Sequence, residues 1–290
     1  NQDAVQVDGE ASDNNIVRGN WIGINAAGTA TLGNSGDGVY ISSGADGTNV
    51  GGSTAAEGNW IAAALEGVEV DGPTAGTNIR NNRIGTDVAG TANWGMQANG
   101  ILIENSLGGA GPTNIYISSN TVAFSGQSSA YDAGIAVLGT GGANISISAN
   151  SIYSNVGMGI DLGVAGVTAN DAGDADTGPN QLQNFPVLTL ARTNGSDTLT
   201  VGGTLNSTAS TSFKIEVFSN PTLDAGGYGE GRTSLGTFVV TTNASGDVTF
   251  SNPFSVAVAV GQYITATASR YSGGFTYETS EFSRGVAAIS

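Results

Sequence analysis

The chain has 290 residues, of which 8 are Lys or Arg and 24 are Asp or Glu, so its formal net charge is −16; it contains no His and no Cys. This charge argues against binding to nucleic acid or to anionic membranes, whose phosphates are neutralised by basic side chains. The missing His and Cys exclude a serine–histidine triad, thiol chemistry, thiolate or imidazole zinc and disulfides. Any metal site would therefore be lined by oxygen and suited to Ca²⁺ or Mg²⁺.

A long internal repeat dominates the first half of the chain. Residues 15–41 and 77–103 align without a gap, with Arg18 matching Arg80, and share 11 identities in 27 positions.

The ~18-residue apolar run that a transmembrane helix requires is absent, which predicts no membrane insertion.

A shorter unit lies inside this repeat. Its first signature is a small residue followed by alternating apolar positions, as in Ala4–Val7, Gly38–Ile41, Gly67–Val70, Gly100–Ile103, Gly134–Val137 and Gly159–Leu162. Its second is an Asn followed two positions later by an aliphatic residue, at Asn20, Asn59, Asn82, Asn120 and Asn150. The two-residue period predicts short strands separated by bends.

Such units bury their strands only by stacking as coils, in which each Val or Ile lies above its counterpart. We expect the Asn at each bend to adopt the left-handed conformation and to bond its neighbours above and below. The pattern resembles the right-handed parallel β-helix of the pectate-lyase-like superfamily, and it predicts about six coils over residues 1–168. Since this fold carries many activities, the resemblance implies a fold and no particular function.

Alternation assigns outward positions on the first strand of each coil: Gln6, Tyr40, Glu69, Leu102, Ala136 and Asp161. With the column two residues on, this predicts a carboxylate strip of Glu69, Asp71 and Glu104 on adjacent coils. Paired carboxylates are the groups that a glycoside hydrolase uses. A related lyase would need a basic residue, yet residues 84–191 contain no Arg or Lys. The alternative is a solvated acidic face.

Trp21, Trp60 and Arg83 occupy equivalent outward positions after the bend Asn. Stacked on successive coils, they predict an aromatic–cation ladder that would bind sugar rings or a partner subunit. In the alternative, the long loops at 25–37 and 87–99 cover these side chains, with Trp94 as one of the covers.

An acidic linker is expected at residues 169–185. Asp171, Asp174 and Asp176 alternate with small residues there, and Gly178 follows. Alternate carboxylates that converge on a hard cation are typical of Ca²⁺ loops, although the Glu and the flanking helices of an EF-hand are missing. A Ca²⁺ that joins the two domains and a solvated linker are the two interpretations.

The sequence of residues 186–290 predicts a second domain that differs in type from the coils. Apolar alternation in Phe213, Ile215 and Val217, and again in Ile264, Ala266 and Ala268, indicates ordinary antiparallel strands. Seven or eight strands in this length predict a β-sandwich, which is similar to the immunoglobulin- and fibronectin-type modules of bacterial surface proteins.

The sequence favours a secreted or surface-exposed structural protein without catalysis: a stalk, an adhesin or a filament subunit. Because residues 4–9 already form a coil strand with no capping segment before them, we expect a fragment of a longer repeat protein or head-to-tail contact between copies. The alternatives are a polysaccharide-active enzyme using Glu69, Asp71 and Glu104, and a module that binds neutral polysaccharide through Trp21 and Trp60.

Overall fold

The computed structural model describes residues 3–128, 132–139 and 142–290. Three parallel sheets, named A, B and C here, form the first part of the chain. Sheet A contains Val5–Asp8, Val39–Ser42, Val68–Asp71, Ile101–Glu104, Ile135–Val137 and Ile160–Leu162. Sheet B contains Ile16–Val17, Asn49–Gly51, Asn78–Arg80, Tyr116–Ser118 and Ser146–Ser148. Sheet C contains Trp21–Ile22, Trp60–Ile61, Arg83–Ile84, Thr121–Ala123 and Ser151–Tyr153.

The chain visits sheets A, B and C in turn, so each circuit is one coil and the predicted parallel β-helix is confirmed. Equivalent residues of successive coils pair in register and form inward columns. One such column in sheet A is Val7, Ile41, Val70, Ile103, Val137 and Leu162, all buried. Each buried aliphatic side chain contributes about 1.5–3 kcal/mol through the hydrophobic effect, which explains why every coil retains this alternation.

The bend Asn residues form a continuous ladder. The Asn82 backbone N–H and side-chain Nδ2 both donate to Oδ1 of Asn120 (2.9 and 3.0 Å), and Asn120 donates in the same way to Asn150. Each Nδ2 also donates to a backbone carbonyl inside the coil, as Asn120 does to Ile79 O at 2.8 Å. The expected bonding between coils is therefore present.

The expected left-handed conformation lies one residue earlier than predicted. Positive φ angles occur at Gly19, Asn81, Ser119 and Ala149, which precede ladder Asn residues. The preceding residue makes the bend. The Asn itself keeps a negative φ angle, and its side chain bonds the next coil.

The C-terminal part is antiparallel. One sheet contains Val187–Thr193, Leu199–Asn206 and Asp247–Phe254. The other contains Thr233–Thr241, Ser212–Asn220, Tyr263–Ser272 and Phe275–Thr279, with Val286–Ala287 paired to Tyr263–Ser272. The alternating apolar residues predicted here, such as Phe213 and Ile264, are fully buried in one core. The described helical segments are the 3₁₀ turns Ala55–Glu57 and Pro179–Leu182, and no helix in the described ranges is long and apolar enough to cross a membrane.

All three sheets of the β-helix end on a segment of the sandwich. Thr279 N donates to Ile145 O (3.1 Å) beyond sheet B, and Ile152 exchanges backbone hydrogen bonds with Gly231 (2.9 and 3.1 Å) beyond sheet C. At the end of sheet A, Leu162 N donates to the carboxylate of Glu281 (3.1 Å). The sandwich thus caps the last coil, where backbone groups would otherwise be unpaired.

The cap also completes the hydrophobic core. Phe218 and Phe282 come from the sandwich, yet they pack into the cluster formed by the inward Val and Ile residues of the coils. Their rings make an edge-to-face contact with centroids 5.3 Å apart. The two parts of the chain therefore share apolar contacts as well as hydrogen bonds.

We predict that Asn120→Ala lowers the free energy of unfolding by ~3 kcal/mol, because it leaves the buried Asn82 N–H and Ile79 carbonyl without partners. Urea denaturation measures this change. Asn78→Ala is the matched control, since Asn78 donates only a local bond to Gly76 O (3.2 Å), and its cost should stay below about 1 kcal/mol. Equal costs for the two variants would contradict a stabilising role for the ladder.

Candidate functional site

The three carboxylates predicted on sheet A lie together. Glu69 pairs in register with Leu102, and Asp71 pairs with Glu104, so these side chains share the outward face of neighbouring coils. One carboxylate oxygen from each of Glu69, Asp71 and Glu104 lies within 4.8 Å of the others. Two oxygens that both bind one Ca²⁺ at about 2.4 Å are at most about 4.8 Å apart, so the spacing fits a hard cation.

This group is not a solvated face. Asp71 is fully buried and accepts hydrogen bonds from Ser106 N (2.8 Å) and the Tyr40 hydroxyl (3.3 Å). Further along the same face, Leu102, Ala136 and Asp161 are also buried, although alternation alone placed them outward. Alternation identifies the face correctly, but it does not show what covers that face.

Two more acids extend the group. Asp37 Oδ1 accepts the backbone N–H of Glu66 at 3.1 Å, one coil further on. Glu66 is only 7 % exposed, and its Oε2 has no hydrogen-bond partner in the described part of the chain. We refer to Asp37, Glu66, Glu69, Asp71 and Glu104 as the sheet A acid cluster.

Burial controls the protonation of this cluster. It raises the pKa of Glu66 to about 8 and that of Glu69 to about 10, and the neighbouring Asp37 adds to the second shift. Burial also raises the pKa of Glu104, with the charge of Asp71 as the next cause. At neutral pH Glu66 and Glu69 therefore hold protons. Such groups are suited to proton donation, and a cation would have to displace their protons to bind.

Trp21, Trp60 and Arg83 stack in register in sheet C, as predicted. The Trp21 and Trp60 rings meet edge to face with centroids 5.3 Å apart, and Trp94 stacks on Trp60 at 5.4 Å. The Arg83 guanidinium donates instead to the carbonyls of Asp87 (2.9 Å) and Val88 (2.7 Å). The predicted register is present, but Arg83 is bonded to its own loop, and among the described residues its guanidinium makes no cation–π contact with a Trp ring.

A groove beside these residues remains open. Its volume is about 300 Å³, and its walls include Trp21, Trp60, Asn81 and Thr121. Trp21 is 50 % exposed, whereas Trp60 is covered by Trp94 and donates its Nε1 proton to Thr86 O (2.6 Å). The loops cover one Trp and leave the other accessible to a flat, uncharged ligand.

The acidic residues of the 169–185 segment also converge. One oxygen from each of Asp171, Asp174 and Asp176 lies within 4.8 Å of the others. Asp174 accepts Asn184 N (2.8 Å) and the hydroxyl of Ser207 (2.9 Å). Burial raises its pKa to about 6.

One carboxylate oxygen of this segment is not used in any hydrogen bond among the described residues and could therefore bind a cation. Asp176 Oδ1 is buried without a hydrogen-bond partner among the described residues. This all-oxygen group fits Ca²⁺ in donor type and spacing. The segment is tied to the sandwich through Ser207 and Asn206, so it is a closed loop and not a free linker.

Three glutamates of the sandwich cap the coil end, and sequence patterns did not identify them. Glu216 accepts the N–H of Ala149 with both oxygens (3.2 and 3.0 Å). Glu230 accepts Ser154 N (2.6 Å) and Asn155 N (2.9 Å). Glu281 accepts Leu162 N (3.1 Å) and Thr168 N (3.0 Å).

The three capping glutamates all have a raised pKa. Burial is the largest cause of the raised pKa of each, and it takes that of Glu281 to about 8. Their N–H donors lie far away in sequence, so no local spacing marks these residues.

The chain matches no model of a known protein family, and no curated protein is similar to it. The arrangement of the side chains is therefore the basis for inferring a function.

We predict that stability falls as the pH rises from about 5 to about 8. The native chain keeps protons on Glu66 and Glu281 up to about pH 8, while the unfolded chain releases them near its ordinary glutamate pKa of 4.5. Since the native state then binds more protons, raising the pH favours unfolding. Urea titrations at several pH values measure this slope.

Glu281→Gln should flatten this dependence, because it removes one of the titrating groups. Exposed Glu10→Gln is the matched control and should leave the slope unchanged. A stability that rises over this pH range would contradict the prediction.

Proposed function

We propose that this chain is a non-catalytic structural module of an extracellular or cell-surface protein, acting as a stiff stalk or adhesin segment. The observation that most supports this proposal is the cap, in which all three sheets of the β-helix continue onto the sandwich through hydrogen bonds. A joint with shared core residues resists bending, which a stalk requires. The similarity of the second domain to immunoglobulin- and fibronectin-type modules of bacterial surface proteins supports the same proposal.

Assembly with other copies remains part of this proposal in a restricted form. The sandwich covers the last coil, so coil-on-coil stacking at that end is blocked. A filament would have to pair a first coil with an outer surface of the sandwich.

The second candidate is a polysaccharide-active enzyme or a polysaccharide-binding module. The sheet A acid cluster favours it, because strongly raised pKa values of grouped carboxyls are typical of general acids. Glu69 and Glu104 would then act as the acid and its partner in glycoside hydrolysis. A lyase is disfavoured, since the coils after Arg83 have no basic residue to abstract a proton. In the binding-module alternative, the groove beside Trp21 on sheet C would bind the neutral chain instead.

If the two domains act as one stiff unit, calorimetry should show a single unfolding transition. Glu230→Ala should lower its midpoint by several degrees, since it leaves the N–H groups of Ser154 and Asn155 unpaired at the joint. Glu10→Ala is the control, because Glu10 is exposed on the coil surface and lies away from the joint.

Two results would contradict the structural role. One is a wild-type chain that unfolds in two separate transitions. The other is release of new reducing ends from a neutral polysaccharide, with the activity lost in Glu69→Gln and Glu104→Gln; that result would establish the enzyme instead.

We further propose that Asp171, Asp174 and Asp176 hold Ca²⁺ and fasten their loop to the sandwich. Millimolar Ca²⁺ should then raise the melting temperature by several degrees, because a ligand that binds only the native state stabilises it. Asp176→Asn should abolish this shift with little other cost, since Asp176 Oδ1 has no partner to lose in the described structure.

Glu69→Gln is the matched control for calcium, because it changes the other acid group with the same oxygen spacing. A shift that survives Asp176→Asn and disappears in Glu69→Gln would place the ion on sheet A. No shift in the wild type would contradict the calcium proposal.

A further inference from the structure

A cleft separates the outward face of sheet B from a hairpin of the sandwich. The hairpin joins Tyr263–Ser272 to Phe275–Thr279, and it turns through Gly273 and Gly274, both with positive φ. The cleft has a volume of about 160 Å³. It is lined by Tyr116, Ile117, Ser118, Ser146, Ser148, Gly274, Phe275 and Thr276.

Two aromatic rings in this cleft are exposed to solvent. Phe275 is 71 % exposed and Tyr116 is 39 % exposed. A single exposed apolar side chain is common, but two exposed aromatic rings lining one cleft form a localised apolar surface. The ring faces carry partial negative charge and attract the slightly positive C–H groups of a flat ligand.

The two walls of the cleft are fixed relative to each other. Ser146 Oγ and Thr276 Oγ1 are hydrogen-bonded at 2.8 Å. Ile147, in the last strand of sheet B, donates its backbone N–H to Thr279 Oγ1 at 2.9 Å. A ligand would enter a preformed site and would not bear the cost of ordering it.

The floor of the cleft provides hydroxyl groups. Ser118 and Ser148 are paired in register on neighbouring coils, roughly 4.8 Å apart. Tyr116 is two residues before Ser118, so its side chain stands on the same face. The Oγ atoms of Ser118 and Ser148 have no hydrogen-bond partner in the described part of the chain and are available to a ligand.

Charge restricts the ligand further. None of the lining residues is charged, and the nearby Arg80, which pairs with Ser118 one coil away, donates to Asn49 Oδ1 at 3.5 Å. A compact ligand with apolar faces and hydroxyl edges matches both the rings and the floor. We propose that this cleft binds one ring of a neutral carbohydrate, stacked against Phe275 and Tyr116 with its hydroxyls on Ser118 and Ser148.

This site differs from the two already described. It lies on sheet B, whereas the Trp21 groove lies on sheet C and the acid cluster lies on sheet A. The sandwich contributes one of its walls, so the cleft exists only in the capped protein. The inference rests on the proposed adhesin role and gives it a chemical class of target.

The test uses the whole chain with three neutral hexasaccharides as probes: maltohexaose, cellohexaose and laminarihexaose. Saturation-transfer NMR and isothermal titration calorimetry should detect binding of at least one. Phe275→Ala should weaken that binding at least tenfold, and Tyr116→Phe should preserve it within about threefold because the ring remains. Ser118→Ala with Ser148→Ala should weaken it several-fold. Val260→Ala, which shortens an exposed apolar side chain outside the cleft, is the control and should leave it unchanged.

Several results would overturn the proposal. These are no binding of any probe, binding that Phe275→Ala leaves intact, binding that Trp21→Ala removes, or equal binding of a hexagalacturonate. A dimer that Phe275→Ala disrupts would identify the cleft as a contact between copies. The single calorimetric transition should persist in Phe275→Ala, so a failure of this proposal is distinguishable from a failure of the stalk.

Discussion

The structure depends on pairing the backbone groups at the end of the coil stack. Each parallel strand bonds the coil above and below, so the last coil presents a row of N–H and carbonyl groups without partners. An unpaired buried polar group costs roughly 1–3 kcal/mol, and an open edge also invites association with other chains. The sandwich supplies a partner for every sheet, with backbone at Thr279 and Gly231 and a carboxylate at Glu281.

The same requirement accounts for much of the acidity. Carboxylates accept two or more hydrogen bonds and donate none when ionised, so they suit sites where several N–H groups converge. Glu216, Glu230 and Glu281 have this role at the cap, and Asp37 has it between coils. Burying these groups without cations raises their pKa, so part of the formal charge is neutralised by protons in the native state. The acidity is therefore structural as well as a surface property.

Local sequence patterns predicted the repeated features of the coils. They did not predict the contacts between segments that are distant in sequence. The two-residue alternation identified the inward columns, and the register it implies placed Glu69, Asp71 and Glu104 together. The Asn positions predicted the ladder, although the left-handed residue precedes the Asn in four of the five coils. The capping glutamates escaped prediction because Glu216 lies 67 residues from Ala149, and Glu281 lies 119 from Leu162.

The cap links the mechanical and binding roles that we propose, which the coils alone would keep separate. Coils repeat the same backbone, so differences between faces arise from single outward residues such as Trp21, Glu69 or Tyr116. On sheet B the sandwich turns an outward face into a cleft, because the Phe275 hairpin projects beside Tyr116. Loosening the joint would therefore weaken the stalk and open this cleft together, whereas a change at Phe275 alters the cleft alone. A stiff joint is the condition under which a surface shared by two domains can act as a preformed site.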